Sequence, residues 1–330
     1  MKRSHRIRPS TWGMAWLLSL GPSFLGGGWV SGQETATKPA NEPLAPNRRF
    51  ESKSTDSKTG ASEDLPANSI ATAPWTGALL LCGGAALPSE IRDRFFDLGG
   101  GEQGRLVIIP TASPRSDGGD FAFWMDYWKD FAWSSVRIAH AEPNGDLQQT
   151  EVLEAIRAAT AVWIAGGDQS RLSERFRNTP VIDELRSFLG RGGIVGGTSA
   201  GAAIWSETMI SGGRTEPRFN TGFGLLPGVM IDQHFLAKGR TERLWRAVHH
   251  HPGLAGLGID ESTGILIQGS TAEVMGVGKI HFYEPVASDL ESGPSIETGT
   301  EAFIPDRSWS AGEKIEISRL LLFQPSRPSP

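Results

Sequence analysis

One serine stands among glycines in the stretch Gly197-Thr198-Ser199-Ala200-Gly201. The spacing matches the G-x-S-x-G nucleophile elbow, in which a sharp turn between a strand and a helix exposes the serine hydroxyl. The helix N-terminus turns backbone N–H groups, that of Ala200 first, toward a developing negative charge. A glycine- and serine-rich turn without chemistry, or an anion cradle, would show the same pattern. Ser199 is therefore a candidate nucleophile whose partners must be sought elsewhere in the chain.

A nucleophilic serine needs a base, and the base needs a group that orients it. Of the seven histidines, His234 follows a short apolar run, where sheets of parallel strands carry their ligands. Asp260 and Glu261 follow the apolar run Leu257-Gly258-Ile259 in the same manner. A carboxylate beside His234 would fix its tautomer. We therefore expect His234 to be the base and this acidic pair to supply the orienting carboxylate.

The sequence context of the other histidines after residue 73 favours structural roles for them. The three histidines 249–251 end a predicted helix, and a C-terminal cap is favoured over a metal site because adjacent helix positions point in different directions. His281 lies in an alternating strand, and the only carboxylate near His140 in sequence is Glu142. The single cysteine, Cys82, excludes an intrachain disulfide and a multi-cysteine zinc site. We expect neither a metal nor a cofactor.

Short apolar runs alternate with amphipathic segments from residue 77 onward. Alternating strands and helices with short links predict a parallel sheet covered by helices on both faces. Such sheets bind ligands beyond the carboxyl ends of their strands, which is where Ser199 falls. The predicted strands are 78–81, 106–110, 136–139, 161–165 and 193–195, and the predicted helices are 88–98, 121–133, 150–159 and 181–189.

The C-terminal third has closely spaced apolar runs that predict additional, mainly antiparallel strands. A helix is predicted near 240–248, and residues 287–300, rich in serine, glutamate and glycine, are expected to form a surface loop. The predicted strands are 229–231, 258–260, 265–268, 273–277, 279–284 and 315–323.

Composition limits the class of protein. The chain has 330 residues, of which 38% are hydrophobic and 21% charged, with a net charge of -5. These values are typical of a globular protein that can bury a sizeable core. Nucleic acid is not an expected partner, because the chain is mildly acidic and has no long run of lysine and arginine.

Residues 1–32 have the features of a secretory signal peptide. Four basic residues lie within the first eight, and residues 12–30 are mostly apolar but interrupted by glycine and proline. We expect a secreted or periplasmic protein without stable membrane association after cleavage, with an uncleaved N-terminal anchor as the alternative. Residues 33–73, rich in polar residues, are predicted to be a disordered linker, and residues 324–330 a flexible tail. The catalytic domain is then predicted over 74–323.

Four segments together resemble peptidase family S51, the cyanophycinase and aspartyl dipeptidase group of serine peptidases. They are Ala165-Gly166-Gly167-Asp168-Gln169, Gly197-Thr198-Ser199-Ala200-Gly201-Ala202, Asp232-Gln233-His234-Phe235 and Gly258-Ile259-Asp260-Glu261-Ser262-Thr263. The order of serine, histidine and glutamate differs from the Ser-Asp-His order of α/β-hydrolases. The resemblance implies an α/β fold, a three-layer parallel-sheet sandwich like that of class I glutamine amidotransferases (flavodoxin-like), with serine in place of cysteine and additional C-terminal β strands.

The resemblance also implies roles for individual residues. Ser199 would be the nucleophile, His234 the general base and Glu261 the group that orients it. Backbone N–H groups of Gly167 and Ala200 would line the oxyanion hole. The positions that match the family's substrate-binding residues are Gln169, Asp232, Gln233, Lys238, Arg240 and Arg243.

The segment after His234 resembles the cyanophycinase pattern DQHFxxRxRxxRL. Arg240, Arg243 and Leu244 match this pattern, whereas Lys238 stands where the pattern has its first arginine. Arginine offers a planar fork to a carboxylate and lysine only a point charge, so the side-chain preference of a substrate site could differ here. A solvated helix face is the alternative interpretation of the two arginines.

The resemblance implies a serine peptidase of the cyanophycinase type, and the predicted signal peptide implies that it is secreted. It would cleave β-aspartyl-arginine linkages through an acyl-enzyme and release dipeptides, without metal or organic cofactor. An α-aspartyl dipeptidase of the same family and a non-catalytic secreted binding module are the alternatives. The expected partner is a peptide, cyanophycin or a related aspartyl peptide, and a homodimer is left open.

Overall fold

The computed structural model describes residues 75–142, 146–287 and 303–319. The predicted signal peptide, linker and tail, and most of the predicted surface loop 287–300, lie outside the described residues. In the part of the chain that is described, no helix is long and apolar enough to cross a membrane.

Strands and helices alternate through the first half of the described chain, as the apolar periodicity predicts. The strands are β1 (Ala78–Cys82), β2 (Arg105–Ile109), β3 (Ser135–Ile138), β4 (Ala161–Ile164), β5 (Ile194–Thr198), β6 (Thr208–Gly212), β7 (Arg218–Thr221), β8 (Val229–Gln233), β9 (Ala255–Ile259), β10 (Thr263–Gln268), β11 (Thr271–Gly276), β12 (Lys279–Tyr283), β13 (Arg307–Ser310) and β14 (Lys314–Glu316). The helices are α1 (Ser89–Leu98), α2 (Ala122–Tyr127), α3 (Asp146–Ala158), α4 (Gln169–Phe176), α5 (Pro180–Gly190), α6 (Ala200–Ala203) and α7 (Thr241–His250).

An eight-stranded mixed sheet lies at the centre, in the order β14-β11-β10-β1-β5-β4-β2-β3. The strands β1, β5, β4, β2 and β3 pair in parallel, and β10, β11 and β14 extend the sheet beyond β1 in antiparallel pairs. Strands β1 and β4 are buried along their whole length, because helices cover both faces of the sheet. The α/β class, the parallel sheet and the additional C-terminal strands are therefore confirmed.

A second sheet, in the order β13-β12-β9-β8, holds the remaining C-terminal strands apart from β6 and β7. Strand β12 pairs with β9 in antiparallel fashion, as expected, and also with β13, which was not predicted. Strands β8 and β9 are instead parallel neighbours, with Gln233 opposite Ile259. The chain therefore leaves both strands at one edge of the sheet. That edge receives His234 from β8 and the acidic pair from β9.

The sequence predicts some elements inaccurately. Helix α2 covers only six residues, and a series of turns follows it where the pattern predicted helix as far as residue 133. The turns let Trp128 and Trp133 both reach Phe95, with ring centroids 5.2 and 6.0 Å away. The hairpin β6–β7 and the helix α4 were not predicted. Strand β14 is shorter than predicted, and a 3-10 turn, Ile317–Arg319, follows it.

Phe95 anchors one hydrophobic cluster of the core. Its ring is fully buried and lies 5.0 Å from Trp163 and 5.2 Å from Trp128. We expect Phe95→Ala to lower the free energy of unfolding by about 3–5 kcal/mol, because it removes an aromatic ring and leaves a cavity. Denaturant unfolding measures this loss. Phe123→Ala is the control, because Phe123 is 61% exposed and its loss should cost no more than about 0.5 kcal/mol.

Candidate active site

Ser199, His234 and Glu261 form a continuous hydrogen-bonded series. Ser199 Oγ lies 3.0 Å from His234 Nε2, and His234 Nδ1 lies 2.6 Å from Glu261 Oε1. A carboxylate can only accept, so the imidazole carries its proton on Nδ1 and leaves Nε2 to accept from the serine hydroxyl. This arrangement can remove the hydroxyl proton as Ser199 attacks a carbonyl carbon.

Each of these residues lies where a strand ends, on strained backbone or directly beside it. Ser199 separates β5 from α6 with φ 54° and ψ −112°, and its N–H donates to the Cys82 carbonyl at 2.9 Å. His234 follows β8 with φ 50°, and Ser262, which follows Glu261, has φ 55°. Non-glycine residues adopt positive φ at an energetic cost and only where the surroundings hold them. The strain thus concentrates at the three segments that meet in the site.

The turn after β1 supports His234 and was missed by the sequence reasoning. The Gly83 carbonyl accepts the His234 N–H at 2.7 Å, and the Gly84 carbonyl accepts the Ser262 N–H at 2.9 Å. Gly84 has φ 109°, and a Cβ there would overlap the His234 ring. A pair of glycines directly after a predicted strand was the available indication, since Gly166-Gly167 follows strand β4 in the same way.

The Gly166-Gly167 turn approaches Ser199 from the other side. Gly167 has φ 150°, and a Cβ on it would overlap the Ala112 carbonyl, so only glycine fits there. A Cβ on Gly166 would lie 3.2 Å from Ser199 Cβ. Within the described ranges, the N–H groups of Gly167 and Ala200 have no acceptor. Both groups are therefore available to a ligand, and their role in an oxyanion hole stays a prediction.

An ion-pair cluster of Asp232, Arg240 and Arg243 adjoins the site. Asp232 is 1% exposed and accepts from Arg243 Nε at 2.8 Å, from Arg243 Nη2 and from Arg240 Nη1 at 3.1 Å. Arg243 is 5% exposed and also donates to the Gly213 carbonyl at 2.6 Å. The charges of Asp232 and Arg243 are thus satisfied inside the protein, which favours a supporting role for these two. Their predicted contact with substrate stays a prediction.

The two glutamines predicted to bind substrate have different surroundings. Gln233 Oε1 lies 3.3 Å from Ser199 Oγ and 3.1 Å from Arg240 Nη1, so it links the serine to the ion-pair cluster. Gln169 begins α4, is buried, and donates from its side-chain amide to the Ile210 carbonyl at 2.7 Å. Ser199 Oγ therefore has two possible acceptors, His234 and Gln233, in this structure.

The electrostatic surroundings keep His234 neutral. Burial is the largest cause that lowers its pKa, and the positive charges of Lys238 and Arg240 lower it further, while the hydrogen bond to Glu261 raises it. Burial and the nearby Arg240 also lower the pKa of Lys238, although its side chain is exposed at the site's rim. A neutral imidazole at neutral pH is the form that can accept a proton.

Other histidines have local partners. His140 Nε2 lies 3.2 Å from Asp117, a carboxylate that sequence proximity did not reveal, and its Nδ1 lies 3.0 Å from Thr111 Oγ1. His249 hydrogen-bonds the Trp245 carbonyl at 2.8 Å near the end of α7, as expected of a cap. Among the described residues, no cluster of histidine, cysteine, aspartate and glutamate is arranged to hold a metal ion.

We predict that the pKa of His234 lies below the ordinary histidine value of about 6.5 and responds to the charge at position 238. Lys238→Met should raise this pKa, because a cation that disfavours imidazolium is removed. Lys238→Arg, which keeps the charge, should leave it low. NMR titration of the His234 ring measures both. An equal pKa of His234 in Lys238→Met and in the wild type would contradict the prediction that the charge of Lys238 lowers it.

Comparisons with known proteins identify relatives of this chain. The model of peptidase family S51 matches residues 79–275. The cyanophycinase of Synechococcus elongatus is 34% identical over 223 residues, which cover 63% of this chain and 68% of the relative. The cyanophycinase of Trichormus variabilis is 34% identical over 234 residues, which cover 66% of this chain and 77% of the relative.

One solved structure shares the fold. A crystal structure of a peptidase from an acI-B1 Actinobacterium superposes with a TM-score of 0.57 at 20% identity, covering 74% of this chain and 98% of that one. The family match spans more than half of the chain and includes Ser199, His234 and Glu261. The chain therefore belongs to peptidase family S51, as its motifs suggested, and is a serine-type peptidase.

Proposed function

We propose that Ser199 is the nucleophile of this peptidase, with His234 as general base and Glu261 as the group that orients His234. The observation that carries the proposal is the series of contacts at 3.0 and 2.6 Å from serine to imidazole to carboxylate. In the first step, Ser199 Oγ bonds to the substrate carbonyl carbon while its proton passes to His234 Nε2. The same proton then passes to the leaving amine as the peptide bond breaks.

The acyl-enzyme formed in this way would be hydrolysed by water. His234 takes a proton from the water, the hydroxide oxygen bonds to the acyl carbon, and Ser199 regains its proton as the ester breaks. The N–H groups of Gly167 and Ala200 would donate to the oxyanion in both steps. Every proton moves between groups of this chain, the substrate and water, so the mechanism uses no metal or organic cofactor.

The proposed substrate is a peptide built of β-aspartyl-arginine units, as in cyanophycin, cleaved between successive units to release β-Asp-Arg dipeptides. Two curated relatives with 34% identity are named cyanophycinases. Lys238 and Arg240 give the site positive charge, which would attract a free carboxylate of such a peptide. Asp232 and Arg243 would hold Arg240 in place for that contact, since both arginines share the Asp232 carboxylate.

Lys238 is the residue that supports a second candidate for the substrate. A flexible ammonium replaces the guanidinium fork of the cyanophycinase pattern and would select the geometry of a carboxylate less sharply. An α-aspartyl dipeptidase activity is therefore the second candidate. Membership of a peptidase family argues against the non-catalytic binding module.

We also propose that the protein is exported, because a basic start and an apolar run precede a polar segment within residues 1–73. Export would place the enzyme where it could degrade polymer outside the cell. Peptide is the proposed partner.

The substrate prediction is tested with purified protein and a panel of cyanophycin, β-Asp-Arg oligomers and α-Asp-X dipeptides. We expect release of β-Asp-Arg dipeptides, and we expect Ser199→Ala to lower kcat/KM by about 10⁴-fold or more. Ser211→Ala is the matched control, because this half-buried serine lies on the β6–β7 hairpin and its hydroxyl donates to the Arg218 carbonyl rather than to a proposed catalytic residue. Preference for α-Asp-X would favour the dipeptidase, and undiminished release by Ser199→Ala would refute the nucleophile.

A further inference from the structure

A second carboxylate–histidine pair, Asp260 and His281, lies next to the proposed catalytic residues. Asp260 Oδ2 lies 3.2 Å from His281 Nε2, and His281 Nδ1 lies 2.9 Å from Ser308 Oγ. His281 is 5% exposed and Asp260 9% exposed, so the pair is shielded from water. The proposed mechanism gives neither residue a task, although Asp260 immediately precedes Glu261.

The Asp260 carboxylate joins three segments of the chain. Its Oδ1 accepts the Leu236 N–H at 3.1 Å, two residues beyond His234. Its Oδ2 accepts the Lys279 N–H at 3.1 Å, at the start of β12, in addition to the His281 ring. One side chain thus fixes the segment that carries the base relative to the segment that carries its orienting carboxylate.

His281 holds this carboxylate in place from β12. Its ring also packs against Phe235, with ring centroids 5.1 Å apart, and the Phe235 N–H donates to the Ile259 carbonyl at 3.1 Å. Phe235 is fully buried between His234 and Leu236 in sequence. His281 therefore contacts the Asp260 carboxylate through a hydrogen bond and Phe235, in the segment after His234, through its ring.

The contacts of Asp260 and His281 matter because the segments that they connect contain strained residues. His234 and Ser262 both have positive φ, and such conformations persist only where the surroundings over-determine them. Glu261 is partly exposed and binds His234 by a single hydrogen bond, so small shifts of its backbone would lengthen that contact. Misplacement of a catalytic group by about 1 Å can cost about 10²-fold in rate.

We propose that Asp260 and His281 are positioning residues that set the hydrogen bond between Glu261 and His234. The inference rests on the proposed function, because that hydrogen bond matters only if His234 is the base. Neither residue contacts the reacting atoms. Their loss should therefore lower kcat rather than raise KM, since the groups proposed to bind substrate are untouched.

A purely structural role predicts a different result. Unfolding of part of the sample would lower the number of active sites but leave the turnover per site and the pH profile unchanged. Loss of positioning would weaken the contact with Glu261, which raises the pKa of His234. The acidic limb of the pH profile should then move to lower pH, because imidazole stays neutral further into the acid range.

The test compares four forms of the protein: wild type, His281→Asn, His281→Gln and Ser308→Ala. Glutamine can place its amide N–H near the position of Nε2 and should restore the donor to Asp260, whereas asparagine is too short. Active sites are counted by labelling with a serine-reactive phosphonate. Turnover of β-Asp-Arg oligomers is expressed per labelled site as a function of pH.

We expect His281→Asn to lower kcat per site about 10- to 100-fold with KM unchanged and the acidic limb at lower pH. His281→Gln should remain within a few-fold of wild type, and Ser308→Ala close to it, since that serine contacts only the far nitrogen of the ring. Unchanged kcat per site in His281→Asn, or equal losses in the asparagine and glutamine variants, would overturn the proposal.

An NMR titration of His234 in the same variants needs no substrate. If the wild type fails to cleave any aspartyl peptide, the proposed function fails, and the positioning role is decided by this titration alone. A lower pKa of His234 in His281→Asn, restored in His281→Gln, would support positioning. An unchanged pKa would refute it.

Discussion

The site depends on one hydrogen bond, the 2.6 Å contact between His234 Nδ1 and Glu261 Oε1. It fixes the imidazole tautomer, so that Nε2 faces the Ser199 hydroxyl as an acceptor. The contact exists because β8 and β9 are parallel neighbours in matched register, which brings their carboxyl ends to one edge. Ser199 comes to the same place from the central sheet, through the turn between β5 and α6. The site therefore lies where two sheets present the ends of parallel strands.

The chain stabilises this meeting point with backbone contacts and closely fitted glycines. Carbonyls of the Gly83-Gly84 turn accept N–H groups from His234 and Ser262, while the Gly166-Gly167 turn packs beside Ser199. Two buried carboxylates support the site. Asp232 binds the neighbouring arginines, and Asp260 accepts a hydrogen bond from the segment that follows His234. Strained residues and the contacts that hold them thus occur together, as expected of a site whose geometry is fixed before substrate arrives.

The sequence predicted the parallel sheet and the family because their patterns are local. An apolar run followed by Gly-x-Ser-x-Gly or by Asp-Gln-His-Phe indicates a strand end, whatever the partners of that strand. Partners across the sheets were not predictable in this way. Nothing in the sequence shows that β8 and β9 pair in a separate sheet, that Asp117 lies beside His140, or that His281 binds Asp260, since each pairing joins residues at least 21 positions apart. The truncated helix α2 has the same cause, because packing against Phe95 outweighs the helical period of the aromatic residues.

The central claim is that Ser199 becomes acylated with the help of His234 and Glu261. An ester of β-Asp-Arg activated at the aspartyl α-carboxyl group, such as a nitrophenyl ester, should acylate the enzyme faster than the acyl-enzyme is hydrolysed, so that the intermediate accumulates. Acid quenching during turnover, followed by peptide mapping with mass spectrometry, locates the acyl group. The account predicts one β-Asp-Arg acyl group per active protein, attached through its aspartyl α-carbonyl to the peptide that contains Ser199. An acyl group on another residue, or steady turnover with none on Ser199, would contradict it.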